Sequence, residues 1–176
     1  MKRFPSSSDP SLQASDPSPE PRLHVVLVHP EIPANAANAG RTCLAAGARL
    51  HLIRPLGFSL ASRHVRRAGL DYWPQVDLEL WDRWPDFHTQ LPQLGSPIAI
   101  TPEAPQSLWD LPLPPRPPVL LFGSEGSGLP RELRDPERIP LAHLPMEPEV
   151  RSLNLSTTVG IAVYEILRKL KAYSAR

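Results

Sequence analysis

The sequence predicts an α/β fold, a mainly parallel sheet flanked by helices. Three observations predict it. Short apolar runs recur at Leu23–Val28, Arg49–Ile53, Pro97–Thr101, Pro118–Phe122 and Ile139–Leu144, each of the length of a buried strand. Helical or turn segments separate most of them, giving the order β-α-β-α-β-α-β-β-α-β-α. Two of the runs empty into polar exits, Gly123-Ser-Glu-Gly-Ser-Gly128 and the stretch from Pro145 to Ser156. An open α/β sheet binds its ligand at exits of this kind.

The first strand, Leu23–Val28, leads into a proline-stiffened stretch from His29. A helix follows through Arg41 to Ala46, with Asn35 as N-cap and Gly47 as C-cap. Arg49–Ile53 is the next strand, closed by Pro55 and Gly57. Ser59–Leu70 reads as a second helix crowded with Arg63, His64, Arg66 and Arg67. Leu78–Trp81 is a weaker strand, and Asp82–Leu91 a short helix that admits Pro85 in its first turn. After the strand Pro97–Thr101, the stretch Pro102–Pro117 is too rich in proline for helix or central strand. Then come the strand to Phe122, a short helix around Pro130–Leu133, the strand 139–144 and a final helix to about Leu170. That helix carries apolar residues at 155, 159, 162, 163, 166, 167 and 170, a one-sided stripe.

The 176 residues suit one domain with a real core. Twelve of the 24 prolines lie in residues 1–21 and 102–118, so the rest of the chain has an ordinary globular composition. Residues 1–21 offer too little apolar surface to offset their ordering entropy and are expected to be a disordered tail. The domain then runs over 22–172, with a C-terminal tail of 173–176. No apolar run is long enough to span a membrane, and Lys2 and Arg3 precede no signal-peptide core. A single cysteine, Cys43, allows neither an internal disulfide nor a cysteine metal cluster, and the six histidines form no ligating pattern. These absences predict a cytoplasmic protein without a metal. The net charge of +1 requires a nucleic-acid binder to gather its positive charge on one face.

Gly123–Gly128 lets bare N–H groups face a ligand, or simply makes a tight strand-to-helix turn. It is neither a P-loop, nor a dinucleotide fingerprint, nor a nucleophile elbow. Arg151-Ser-Leu-Asn-Leu-Ser-Thr-Thr158 crowds polar groups at a helix start. Capping accounts for one or two of Ser152, Asn154 and Ser156, and the remainder favour a bound polar or anionic group.

Three stretches carry a resemblance. Pro30-Glu-Ile-Pro-Ala-Asn-Ala-Ala-Asn-Ala-Gly-Arg41, Phe122-Gly-Ser-Glu-Gly-Ser-Gly-Leu-Pro130 and Arg151-Ser-Leu-Asn-Leu-Ser156 resemble, in order, the three motifs of the SPOUT superfamily of RNA 2′-O-ribose methyltransferases. Arg66-Arg-Ala-Gly-Leu-Asp-Tyr72 and the small size are similar to the branch acting on tRNA nucleotide 34, a cytidine or modified uridine. The resemblance covers about Leu23 to Leu170. It departs in motif one, where the usual Pro-Pro-Asn-Thr-Gly-Asn becomes Pro33-Ala-Asn-Ala-Ala-Asn38.

The resemblance implies a C-terminal deep trefoil knot, a homodimer, tRNA as partner and S-adenosylmethionine (SAM) as cofactor. Carried over by position, Ile100, Thr101, Gly123, Leu144 and Ser152 would hold SAM. Asn35, Arg41, Glu125, Asn154 and Tyr164 would lie near the substrate ribose. Arg63, His64, Arg66 and Arg67 are candidates for RNA phosphate contacts, against the plainer reading of a solvated helix face. Because a guanidinium stays charged, Arg41 is expected to clamp a phosphate and orient the 2′-hydroxyl rather than act as a base. The function implied is SAM-dependent 2′-O-methylation of the wobble nucleotide of tRNA. The alternatives are methylation at another tRNA or rRNA position, or an RNA- or SAM-binding module without catalysis.

Overall fold

The computed structural model describes residues 23–60 and 72–170. The helix expected over 59–70 lies outside the described residues from residue 61 onward, as do the expected tails and Arg63, His64, Arg66 and Arg67.

Six strands are described: β1 (His24–Val28), β2 (Arg49–Ile53), β3 (Leu78–Trp81), β4 (Ser96–Ile100), β5 (Pro118–Phe122) and β6 (Leu141–Ala142). Three α-helices accompany them: α1 (Pro33–Ala46), α2 (Trp84–Leu94) and α3 (Leu155–Leu170). Two single 3₁₀ turns, Trp73–Gln75 and Arg131–Leu133, complete the described elements. The sheet order is β3-β2-β1-β5-β4-β6 and every pair is parallel.

Alternation along the strands sorts side chains to two faces. Val25 and Leu27 of β1 join Leu120 and Phe122 of β5 on one face, where α1 and α3 cover them. Val26 and Val28 join Val119 and Leu121 on the other, covered by Phe87 and Leu91 of α2. β1 and β5 are therefore buried at every position, which is why they read as unbroken apolar runs. The α3 stripe is core: Val159, Ala162, Val163 and Ile166 are fully buried against the sheet and α1. Cys43 packs in the same cluster, and burial pushes its thiol up to about 12.

Two expectations about element bounds need correction. The strand over 139–144 is reduced to Leu141–Ala142. Pro140 and Pro145 flank it and can donate no ladder hydrogen bond. Asn35 is not the N-cap of α1: the helix starts at Pro33 with Ile32 before it. Proline's fixed φ suits a first helical position, and the Asn35 amide is used elsewhere. Gly47 does end α1, at φ 65°, a left-handed conformation that glycine enters without strain. Pro85 sits in the first turn of α2 as expected.

The stretch between β4 and β5 is loop, yet it is tied to the end of the chain. Ser107 bridges to His143 beyond β6. Near the end of α3, Lys169 Nζ donates to the carbonyls of Leu108, Trp109 and Leu111 at 2.9, 3.0 and 2.6 Å.

Candidate active site

The parallel register brings the C-terminal ends of β1, β4, β5 and β6 to one edge, with Ile100 beside both Phe122 and Ala142. A cavity of about 410 Å³ opens there, within the range of small-molecule sites. Ile100, Phe122, Leu129 and Leu144 give it apolar walls, and Gly123, Ser124, Gly126, Ser127 and Gly128 add small residues to its lining. Of the residues expected to hold a cofactor, Ile100, Thr101, Gly123, Leu144 and Ser152 all line it.

Glycine is required at 123 by space. A Cβ there would lie 1.9 Å from the Gly128 carbonyl carbon and 2.0 Å from the Leu129 nitrogen, both backbone atoms. The loop closes on itself through Ser124 N–H to Gly128 O (3.1 Å) and the reverse bond, Gly128 N–H to Ser124 O (3.0 Å). Ser124 and Ser127 hydroxyls share a further 2.8 Å hydrogen bond. The stretch is a tight turn, and the turn lines the cavity.

The three sequence motifs meet at one side chain. Asn35, buried on the first turn of α1, donates from Nδ2 to Glu125 Oε1 at 2.8 Å. Its Oδ1 accepts from Asn154 Nδ2 at 2.9 Å. Glu125 also accepts the backbone N–H groups of Glu31 (2.8 Å) and Ile32 (3.2 Å), which the start of α1 leaves without an intrahelical partner. Asn154 Oδ1 accepts from Ser156 N–H at 2.9 Å and Thr157 N–H at 3.3 Å, so Asn154 caps α3. The result is a directed chain of hydrogen bonds from the start of α3, through Asn154 and Asn35, to a carboxylate at the start of α1. All three side chains line the cavity. Asn154 does the capping, which leaves Ser152 to face the cavity.

Arg41 and Tyr164 do not line the cavity. Arg41 is exposed on α1, its guanidinium 4.4 Å above the Tyr72 ring. The Tyr72 hydroxyl in turn donates to the Ala37 carbonyl at 3.1 Å. The ring thus holds Arg41 by a cation–π contact while it is itself tied to α1. Tyr164 is 51% exposed on α3. Ala36 and Ala37, the motif-one departures, are fully buried and line no part of the cavity. The expected RNA contacts, Arg63, His64, Arg66 and Arg67, lie outside the described residues.

Sequence reasoning missed three polar groups. Glu103, in the proline-rich loop, accepts the Thr101 hydroxyl, and that bond holds its carboxyl below the usual range, assisted by Arg134. Arg134 lines the cavity beside it. Tyr72 closes the Arg66–Tyr72 motif, but nothing local marks it as a support for Arg41. Among the described residues, no group of three or more His, Cys, Asp or Glu side chains could hold a metal ion.

A parallel α/β sheet with a mixed polar and apolar cavity over its C-terminal edge defines a protein that binds a small organic ligand there. The three motif side chains at one wall leave the rest of that cavity for such a ligand. The comparisons narrow the class. The chain belongs to the SpoU rRNA Methylase family, which matches residues 22–164. It is 42% identical over 151 residues to a tRNA (cytidine(34)-2′-O)-methyltransferase of Acidovorax sp. (strain JS42), covering 84% of this chain and 91% of that one. A tRNA (cytidine(34)-2′-O)-methyltransferase of Polaromonas sp. (strain JS666 / ATCC BAA-500) is 41% identical over 151 residues, with 84% and 90% covered. A solved structure giving insight into the 2-OH methylation of C/U34 on tRNA superposes with a TM-score of 0.79. It is 47% identical and covers 85% of this chain and 97% of its own. An AdoMet-bound rRNA methyltransferase from Sinorhizobium meliloti superposes with a TM-score of 0.76 at 28% identity, covering 84% and 56%.

Proposed function

We propose that this chain transfers a methyl group from SAM to the 2′-hydroxyl of the wobble nucleotide, position 34, of tRNA. One observation carries the reading: Asn35, Glu125 and Asn154, one from each motif, are hydrogen-bonded to one another at the wall of a cavity of cofactor size. The relatives that act on cytidine 34 match this chain over nearly their whole length, so the substrate is carried over with the fold.

The cavity fits the cofactor. Apolar Ile100, Phe122 and Leu144 can flank an adenine, and the close-packed Gly123 turn brings backbone up to the cavity wall without a side chain between. When bound, SAM supplies a methyl already electrophilic through its sulfonium. What remains for the protein is to align the ribose oxygen in line with that methyl, to exclude water from the reacting line and to let the 2′-hydroxyl proton leave to solvent, with S-adenosylhomocysteine as the leaving group. Alignment of this kind is worth up to about 7–11 kcal/mol in well-oriented systems. The Asn154–Asn35–Glu125 chain fixes the starts of α1 and α3 on either side of the ribose position. Arg41, held over Tyr72, clamps the adjacent phosphate and favours negative charge developing on the 2′-oxygen. Tyr164 stands near the RNA on the exposed side of α3.

The chain beyond β5 forms a trefoil knot. Support comes from the route of the chain: β6 lies at the far edge beside β4, α3 returns to α1, and the 102–117 loop is pinned around Lys169. The enzyme works as a homodimer in the cytoplasm. Exposed Ile161 on α3 offers apolar surface for pairing, and a dimer carries the Arg63, His64, Arg66 and Arg67 cluster twice. No helix among the described residues is long and apolar enough to cross a membrane.

The test is label transfer. Purified protein with methyl-labelled SAM should label bulk tRNA, and Arg41→Ala should abolish the signal while SAM binding persists. Absence of transfer by the unaltered protein, with SAM bound, would leave only a binding module.

A further inference from the structure

One polar group in the cavity is left unsatisfied by the fold. Arg134 follows the 3₁₀ turn Arg131–Leu133, and its Nε is buried without a hydrogen-bond partner among the described residues. Its Nη1 lies 3.7 Å from Glu103 Oε1, an ion pair too long to be a hydrogen bond. Glu103 is aimed by the Thr101 hydroxyl, which donates to its other oxygen, Oε2. All three residues line the cavity, and the Glu103 and Arg134 side chains are 66% and 37% exposed, so the pair stands at the mouth.

The other charged groups of the cavity are differently placed. Glu125 is committed to Asn35 and two backbone N–H groups, and Arg151 is exposed near the start of α3. Glu103 and Arg134 thus form an open pair of opposite charges on one wall. Resting on the reading that the cavity takes SAM, we propose that this pair reads the amino-acid end of the cofactor. Arg134 donates from its terminal nitrogens to the carboxylate, and Glu103 accepts from the ammonium. The adenine and ribose carry no charge and have no use for such a pair. A zwitterion that carries both charged groups on one carbon fits it, its carboxylate meeting Arg134 and its ammonium meeting Glu103 in place of their long mutual contact.

Two ligands isolate the idea. S-adenosylhomocysteine has the amino-acid end, and 5′-methylthioadenosine lacks it. Calorimetric titration is done on the full chain, on Arg134→Met, which keeps an apolar stem, and on Glu103→Gln. The unaltered protein should bind S-adenosylhomocysteine at least about tenfold more tightly than 5′-methylthioadenosine. Arg134→Met should weaken S-adenosylhomocysteine by about 10- to 100-fold and 5′-methylthioadenosine by less than about twofold. Glu103→Gln should show the same selectivity with a smaller loss, and it stands in should Arg134→Met not fold. Equal losses for both ligands, or no loss for either, would overturn the proposal and leave SAM binding intact. Failure of the unaltered protein to bind either ligand would sink the proposal together with the cofactor reading.

Discussion

Asn35→Ala removes the side chain on which the three motifs meet, and its effect can be worked from the geometry. Asn35 is 5% exposed and makes two hydrogen bonds, 2.8 Å to a carboxylate and 2.9 Å to a neutral amide. The charge-assisted bond contributes about 1.5–3 kcal/mol and the neutral one about 0.5–1.5 kcal/mol. The expected loss is about 2–4.5 kcal/mol, or about 4–18 °C in Tm for a domain of this size. A double-mutant cycle with Asn154→Ala isolates the bond between the two asparagines. Asn154 also caps α3, but that contribution is lost in both arms of the cycle and cancels. Urea unfolding of the four proteins should give a coupling of about 0.5–1.5 kcal/mol. A coupling under about 0.3 kcal/mol would mean that the two sites act independently, and the linked-motif argument would be wrong.

Three further outcomes are expected. Gly123→Ala should fail to fold or lose several degrees of Tm and all SAM affinity, because its Cβ would lie 1.9 Å from backbone; normal melting with normal binding would contradict the close-packed turn. Arg41→Lys should retain SAM affinity but lose at least about tenfold in turnover, since an ammonium can neither clamp a phosphate in two bonds nor stack as well on Tyr72. Acid should destabilise the fold through His24 and His51. Burial, with Arg49 nearby, lowers His24 to about 4, and burial, with His24, lowers His51 to about 3. Both rings are neutral in the fold, with His51 accepting from Trp81 Nε1–H and sharing a 3.0 Å bond with His24. Below about pH 6.5 the unfolded chain takes up protons that the folded chain refuses. Stability is therefore complete above that pH and falls towards pH 4, by up to about 1.4 kcal/mol per unit for each ring. Urea unfolding at pH 7 and 5 should show the drop, and His51→Phe should reduce it to the share carried by His24.

Much of the sheet was legible in the sequence because its central strands are buried on both faces. Val25 to Val28 and Val119 to Phe122 leave no polar position to confuse the period. β6 was over-read, since the apolar run hid the effect of Pro140 and Pro145. Asn35 looked like a cap because it follows prolines, whereas its partners stand 90 and 119 residues further on. No local pattern encodes contacts at that separation, so the site was reached through the three-motif resemblance. Glu103 and Arg134 fell within no motif, and neither a proline-rich loop nor a 3₁₀ turn has a periodicity that would place them together.

The central claim is transfer to the ribose of nucleotide 34, and nucleoside analysis of the product tests it most directly. After reaction with methyl-labelled SAM, tRNA is cut to isolate the anticodon-loop fragment and digested to nucleosides. One labelled 2′-O-methylated cytidine or modified uridine is expected, at position 34 alone. Label on a base, or on the ribose of any other nucleotide, would contradict it.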